Sequence, residues 1–517
     1  MSEKISSIGL KGLEGYLVQV EVQVIDGIES IVVVGLPDAS VKESKERVSA
    51  ALHSMGFPLV DKKVVVNLSP AEQKKNGPLF DLAIAFGILK SGNFIQERIP
   101  SETGFIGALS LDGSVLPVEG MIAAVLAAKK LKLQKLFLPY DPSIPPIELA
   151  NLELIYISSV QDVIDHLAGR TPLPFIEPKP IWKEEKVVER DFQQIIGHEF
   201  AKRALEIAAA GEHYVLMDGP PGCGKSLLAE TFPSILPPLS KEGQLEKISL
   251  YQLAGAPNNS LSMPPYRHPH HSASAVALIG GGTNPKPGEV SLAHRGVLFL
   301  DELAEFSKKT LDMLRQPLEN EKVTISRVHS TVTYPAKFIF IAAMNPCPCG
   351  YFGSNVQYCR CSEKQIKTYQ NRVSGPILDR IDILLPLRPV KLTGKDFKGI
   401  ESSDAIKKRV QAAREKQYER YGKEICNGSV PFEKLVAYSP LTDEQQHHVQ
   451  RLSIQEGLSN RVQIKLIRLA RTIADLKGEG LISNGSLLMA MKLRKLKADS
   501  MIGRDMLTGE DGDVTYR

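Results

Sequence analysis

The chain has 517 residues, 43% hydrophobic and 24% charged, which is enough to bury several cores and excludes a disordered or fibrous class. Lys plus Arg (63) nearly balances Asp plus Glu (59), so the net charge of +4 permits nucleic-acid binding without demanding it, and six cysteines are too few for a disulfide scaffold in so long a chain. Residues 1–15 hold no basic segment followed by an apolar run and no apolar stretch of about 18 residues occurs, so a cytoplasmic protein with no membrane partner is expected.

Partial alternation over residues 16–24 and β-branched runs at 31–34 and 64–66 predict strands, and helical spacing is predicted over 41–55, 82–90 and 121–131. Residues 1–168 therefore read as one α/β domain. Residues 169–190 carry Pro172, Pro174, Pro178 and Pro180 ahead of a mixed charged run, and read as a linker. From 191 to 390 strand and helix signals alternate, as in a parallel sheet with crossover helices. Residues 391–517 are almost wholly helical in pattern, with the polar, Gly-containing stretch 503–517 expected to fray.

After the strand pattern at 214–217 comes Gly219-Pro220-Pro221-Gly222-Cys223-Gly224-Lys225-Ser226, which opens a helical segment at 227–232. This is G-x-x-x-x-G-K-[ST] in its strand-loop-helix setting, a context that a chance Gly-rich turn lacks. Glycines let backbone N–H groups turn inward around phosphates, and Lys225 supplies a point charge to the outer ones. Ser226 is placed to hold Mg²⁺, so the expected cofactors are ATP and Mg²⁺. Cys223, at a variable position, reads as filler. Some 75 residues on, the apolar run 297–300 ends in Asp301-Glu302, a buried strand whose tip delivers two carboxylates. Asp301 would organise Mg²⁺ and Glu302 would polarise the attacking water.

Cys347-Pro348-Cys349 and Cys359-Arg360-Cys361 give C-x-C-x9-C-x-C, with Gly350 and Gly353 allowing a tight turn between the pairs. Four thiolates suit a closed tetrahedral zinc site, although the spacing is narrower than the common C-x2-C, and free thiols or a redox pair remain open.

The segment Arg267-His268-Pro269-His270-His271-Ser272-Ala273-Ser274, the run Gly280-Gly281-Gly282 with Pro287-Gly288-Glu289, and Leu292-Ala293-His294-Arg295-Gly296 carry a resemblance to the magnesium-chelatase-like AAA+ proteins, and within them to the ComM/YifB group over nearly the whole chain. The resemblance implies an α/β multidomain fold with three parts. They are an N-terminal Lon-protease-like (ribosomal S5-like, ChlI-type) domain, a central P-loop AAA+ core and a C-terminal helical lid. It implies that Asn345, after the strand pattern at 338–343, helps orient the water. It makes Arg380, in Ser374-Gly375-Pro376-Ile377-Leu378-Asp379-Arg380-Ile381-Asp382, the arginine finger reaching a neighbouring subunit, with Arg372 the local competitor. It makes Arg461 the second sensor, contacting nucleotide from the lid, with Arg468 and Arg471 as alternatives.

A finger in trans implies self-assembly into a ring, by resemblance a hexamer. Two segments are candidates to face its pore: the histidine loop, since adjacent His270 and His271 cannot share a helix face as paired metal ligands, and a hairpin read over 323–334. In the N-terminal region, the positions where Lon proteases carry their Ser-Lys pair hold Leu79 and Ile122, so no peptidase activity is expected. Ser69 and Lys74 nearby read as ordinary surface residues.

By resemblance the activity is that of an ATP-driven DNA helicase promoting branch migration during DNA integration in natural transformation, with single-stranded or branched DNA as partner. A metal-insertion or protein-remodelling ATPase of the chelatase kind is the alternative; the D-x-S-x-S mark of a chelatase metal-binding module is missing from the sequence. Basic clusters at 407–423 and 492–497 lend the DNA reading only slight weight, since such runs are usually solvated helix faces.

Overall fold

The computed structural model of the chain describes residues 3–75, 77–141, 151–170, 190–257, 260–282, 285–327, 330–354, 357–390 and 400–494. The heart of the expected linker (171–189), the start of the expected lid (391–399), the end of the second basic cluster (495–497) and the tail 503–517 lie outside them. The described residues group into two units. The first takes residues up to 170 with 241–261 and 324–334, and the second takes 190–240, 262–323 and everything from 335 on.

The first unit is built on a seven-stranded mixed sheet. Its strands are β1 (Glu3–Lys11), β2 (Glu14–Asp26), β3 (Ser30–Val34), β4 (Lys62–Ser69), β5 (Thr103–Phe105), β6 (Lys135–Pro139) and β7 (Glu153–Ile157), in the order β3-β4-β2-β1-β5-β6-β7. The pairs β1/β2 and β2/β4 are antiparallel and the rest parallel. Each strand expected in this domain lies inside one of these. The helices run Ala39–Ser54, Asp81–Ser91 and Met121–Lys130, within two residues of the expected bounds. The first starts where Asp38 accepts the N–H of Val41, satisfying one of the free donors of a helix end. Between helix and sheet the rings of Phe86, Phe105 and Phe137 stack in series with centroids 5.2 Å apart.

Leu79 and Ile122 are both buried in one apolar cluster with Ile8, Ile106 and Met121. At these two positions the domain has packing where a dyad would need polar groups. Helix Lys241–Ala254 joins the same cluster through Ile248. The hairpin forms as expected, Lys322–Arg327 pairing with Ser330–Pro335. Its Val332 lies so close over Gly12 that a Cβ there would stand 2.5 Å away, so the second strand is packed and not free.

The second unit holds a five-stranded, wholly parallel sheet: β8 (Val215–Asp218), β9 (Tyr266–Arg267), β10 (Val297–Leu300), β11 (Ile339–Met344) and β12 (Ile383–Pro386), in the order β9-β10-β11-β8-β12. Every residue of β10 and β11 is buried, which is why these runs read as continuous apolar stretches without alternation. Past residue 400 come five helices, Ser403–Tyr421, Phe432–Tyr438, Asp443–Glu456, Asn460–Lys477 and Asn484–Arg494, several with clear stops and starts: Thr442 and Gln445 form a capping box, and Gly422, Gly457 and Gly478 take left-handed backbone after the last turn. The fold is thus the expected mixed α/β class with a parallel-sheet core and a helical C-terminal region. Among the described residues no helix is long and apolar enough to cross a membrane.

Candidate active site

The order of the parallel sheet places β8 between β11 and β12, so the loop leaving β8 opens over a crevice at the strand tips, where open α/β sheets bind ligands. Residues 219–226 form that loop. The Lys225 ammonium donates to Asn345 Oδ1 at 3.0 Å and to the carbonyls of Gly219 (2.5 Å) and Pro220 (2.9 Å). Ser226 Oγ donates to Asp301 Oδ2 at 2.7 Å, and Asp301 Oδ1 accepts the N–H of Glu302 at 2.8 Å. Five of the expected site residues therefore meet at one edge: Lys225, Ser226, Asp301, Glu302 and Asn345. Gly224 has φ +85°, backbone that a side chain would strain. Cys223 is buried and its thiol is pushed up by that burial, which suits packing and not reactivity. Asp218, which sequence reasoning missed, is half-buried here; desolvation raises its carboxyl to about 6, and its buried Oδ1 finds no partner among the described residues.

Glu302 takes left-handed backbone (φ 50°), and its half-exposed carboxylate lies 3.3 Å from His271 Nδ1. The histidine loop leaves β9, so His271 reaches the site over the neighbouring strand tip; its ring stacks on His270 at 4.1 Å, and His268 packs on Phe299 of β10 at 4.7 Å. No local motif pairs His271 with a carboxylate 31 positions away.

Arg380 and Arg461 are elsewhere. Asp382 accepts the N–H of Tyr214 at 2.8 Å, just before β8 begins, whereas the phosphate-type loop follows the end of β8. Four residues of strand, about 13 Å, separate the two edges. Lys465 Nζ donates to the Arg380 carbonyl (2.6 Å) and to Asp382 Oδ1 (2.7 Å), pinning the start of helix Asn460–Lys477 to this far edge. Burial works to raise the Asp382 carboxyl, but the Lys465 ammonium, His213 and the Tyr214 N–H together outweigh it and hold the group below its ordinary range. Arg380 and Arg461 both pair with Glu319, around a cavity of about 350 Å³ also lined by Lys465 and Arg468. Arg461, expected to contact nucleotide from the lid, lies beside Arg380 in this chain, the Lys465 anchor holding the start of its helix at that edge and away from Lys225. Its rivals are tied inside the lid, Arg468 to the carbonyls of Gly428 and Val430 and the fully buried Arg471 to Asp475 and the carbonyls of Glu479 and Gly480. Arg372, the other finger candidate, pairs with Glu305 at 3.0 Å and the Ala304 carbonyl, three residues or fewer past Glu302.

The four clustered cysteines converge. Cys347, two residues after Asn345, is fully buried, and its Sγ lies 3.4 Å from that of Cys349 and 3.7 Å from that of Cys359, with all four sulfurs within 4.8 Å of one another. The N–H of Tyr351 helps draw the Cys349 thiol down to about 6. Among the described residues this is the one group with metal-ligand spacing, and the histidines are not part of it. The basic helix Ser403–Tyr421 is less available than its composition suggests: Arg409 pairs with Glu206 and Glu401, Arg414 with Glu212, and Arg420 with Asp475. Lys492 lies over the Phe200 ring.

Three family descriptions cover the chain in series: "Subunit ChlI of Mg-chelatase" matches residues 20–142, "Magnesium chelatase, subunit ChlI" residues 191–394, and "Magnesium chelatase, subunit ChlI C-terminal" residues 400–494. The uncharacterized protein YifB of Escherichia coli is 38% identical over 94% of this chain and 95% of its own length, and competence protein ComM of Haemophilus influenzae is 38% identical over 94% and 96%. The chain belongs to the YifB/ComM family of magnesium-chelatase-like proteins. As a member it is an AAA+-type ATPase. A stretch of 140 residues, 27% of the chain, is 29% identical to Lon protease 2 of Bacillus subtilis, and in the first unit Leu79 and Ile122 occupy the two positions read as those of the Lon dyad.

Proposed function

We propose that this YifB/ComM-family chain is a ring-forming, ATP-driven DNA motor in which each nucleotide is held by one subunit and completed by the next. The observation that carries this reading is the separation of the two edges of the parallel sheet. Lys225, Ser226, Asp301, Glu302 and Asn345 meet at the strand tips, while Arg380 and Arg461 share Glu319 at the strand starts. In one chain the two sets do not combine; across a head-to-tail interface they do, and a closed heterologous interface makes a ring, here read as a hexamer.

In this reading Lys225 binds the outer phosphates and the loop N–H groups cradle the others. The Ser226 hydroxyl beside the Asp301 carboxylate is a pair of hard oxygen donors that fits Mg²⁺, which when bound neutralises developing charge on the phosphates. Glu302 polarises the attacking water, Asn345 helps orient it, and Arg380, with Arg461, stabilises the transition-state charge from the neighbouring subunit. Four cysteine thiolates hold a structural zinc ion. The substrate is single-stranded or branched DNA, moved so as to drive branch migration when incoming DNA is integrated in natural transformation. Kinship with a competence protein supports it; the basic helices give it little, since their arginines are engaged within the fold.

Subunit mixing tests the shared site. Lys225→Ala and Arg380→Ala chains are each expected to be inactive alone, and their mixture to regain hydrolysis at interfaces that pair an intact loop with an intact finger. No recovery on mixing, with assembly of mixed rings verified, contradicts the completed-by-the-next arrangement.

A further inference from the structure

The sulfur geometry of the cysteine cluster is that of one ion and not of a disulfide or a larger cluster. Disulfide sulfurs lie about 2.05 Å apart. Four thiolates at about 2.3 Å from a single zinc ion occupy the corners of a tetrahedron with edges of about 3.8 Å. The observed separations of 3.4, 3.6 and 3.7 Å match those edges. A two-iron cluster would divide the ligands between two metals and draw the pairs apart, yet Cys359 lies within 0.3 Å of the same separation from Cys349 (3.6 Å) and Cys347 (3.7 Å) as these have from each other (3.4 Å). The N–H of Phe352 donates to Cys347 Sγ at 3.3 Å, the kind of contact that stabilises a metal-bound thiolate.

What this knuckle touches is the nucleotide loop. The chain runs from Asn345 into Cys347, and the turn closed by the Gly350 N–H on the Cys347 carbonyl (2.9 Å) puts Gly350 flat against Pro221. A Cβ on Gly350 would stand 2.6 Å from Pro221 Cδ and 3.0 Å from its Cγ, with Asn345 Cγ 3.9 Å away. The knuckle is held from the other side as well, Gln370 Nε2 donating to the Pro346 carbonyl at 3.1 Å. Pro221 lies in the middle of the loop whose first carbonyls hold Lys225, and Asn345 holds the same ammonium. The two sides of the phosphate site, loop and Asn345, therefore both rest on residues fixed by the cysteines.

We propose that zinc in this knuckle is a control element of the nucleotide site: it locks Gly350 against Pro221, so that loss of the metal by chelation loosens the loop and weakens ATP binding. The proposal rests on the ATP-site and zinc readings above and adds the coupling between them.

The test uses the full chain. Zinc content per chain is measured by elemental analysis, and affinity for a fluorescent ATP analogue is measured before metal removal, after it, and after zinc is returned. One zinc per chain is expected, with at least about tenfold weaker analogue binding on removal and recovery on return, the scale seen when a metal site's supporting contacts are lost. Gly350→Ala is expected to keep its overall fold by circular dichroism, with its zinc content measured alongside, yet bind the analogue more weakly, because the added methyl both strains left-handed backbone (φ +83°) in the cysteine turn and must displace Pro221. If zinc is present but neither its removal nor Gly350→Ala changes analogue binding, the coupling is wrong while the zinc reading stands. If no metal co-purifies or rebinds, the zinc reading fails and the proposal with it. If the zinc-loaded chain does not bind the analogue at all, the ATP-site reading is at fault.

Discussion

Glu302 lies just past the last buried residue of β10, in left-handed backbone and half exposed, with His271 as a neighbour 3.3 Å away. A carboxylate so placed can meet a water above the phosphate loop, and Glu302→Gln keeps its shape while removing its basicity. Hydrolysis is expected to fall by roughly 10²- to 10⁴-fold, the usual range for losing a positioned base, with fluorescent-analogue binding and assembly retained. If turnover survives in that variant, another residue polarises the water. Arg380→Ala is expected to cost roughly 10³-fold or more in turnover with nucleotide affinity preserved; an unaffected rate removes Arg380 as the finger. The loop 219–226 and Asp301-Glu302 were readable because each is a contiguous motif at the tip of an apolar run. The Glu319 bridge between Arg380 and Arg461 was not, since it joins residues 61 and 142 positions apart that only the packed lid brings together. His271 escaped for the same reason, its loop and β10 being neighbours only in the sheet.

Among the elements, helix Ala39–Ser54 is fastened to helix Asp81–Ser91 by Arg47, whose Nε and an Nη donate to the fully buried Asp81 carboxylate at 2.7 and 3.2 Å. The Asp81 bond raises the affinity of the guanidinium for its proton, as a paired cation requires. Arg47→Ala would leave the buried Asp81 carboxylate with the Leu109 N–H (3.2 Å) and no paired cation, and is expected to destabilise the first unit by about 3 kcal/mol, read as a lowered calorimetric transition. In the second unit, His213 follows helix Glu199–Gly211 and meets lid residue Thr472 at 2.8 Å. Burial depresses its pKa from 6.5 to about 4, so the unfolded chain binds the extra proton first. Its contribution is whole above about pH 6.5 and is lost as pH falls toward 4, at most roughly 3 kcal/mol. Denaturant midpoints between pH 7 and 4.5 should fall in the wild-type chain and fall less in His213→Gln; equal slopes refute the assignment. The helices themselves were legible to within two residues because caps and apolar spacing are local. Two placements were not: helix Lys241–Ala254 and the hairpin read as parts of the ATPase core, yet Ile248 and Val332 pack in the first unit, a tertiary choice that no periodicity encodes.

For the whole molecule, the parallel sheet alone separates the strand tips that carry Lys225, Ser226, Asp301 and Asn345 from the strand starts that carry Arg380, and on the proposed reading this separation makes a single chain an incomplete ATPase. The α/β class, the parallel core and the helical lid followed from alternating strand and helix signals. The substrate did not, because the basic helix that composition suggested uses its arginines internally. The most direct test of the DNA-motor reading is steady-state ATP hydrolysis by the purified full chain, with and without single-stranded and forked DNA, at moderate salt. Strong stimulation by DNA that weakens as salt rises is the expected result. Vigorous hydrolysis indifferent to every DNA offered would contradict it, and would favour a chelatase-like protein-remodelling ATPase instead.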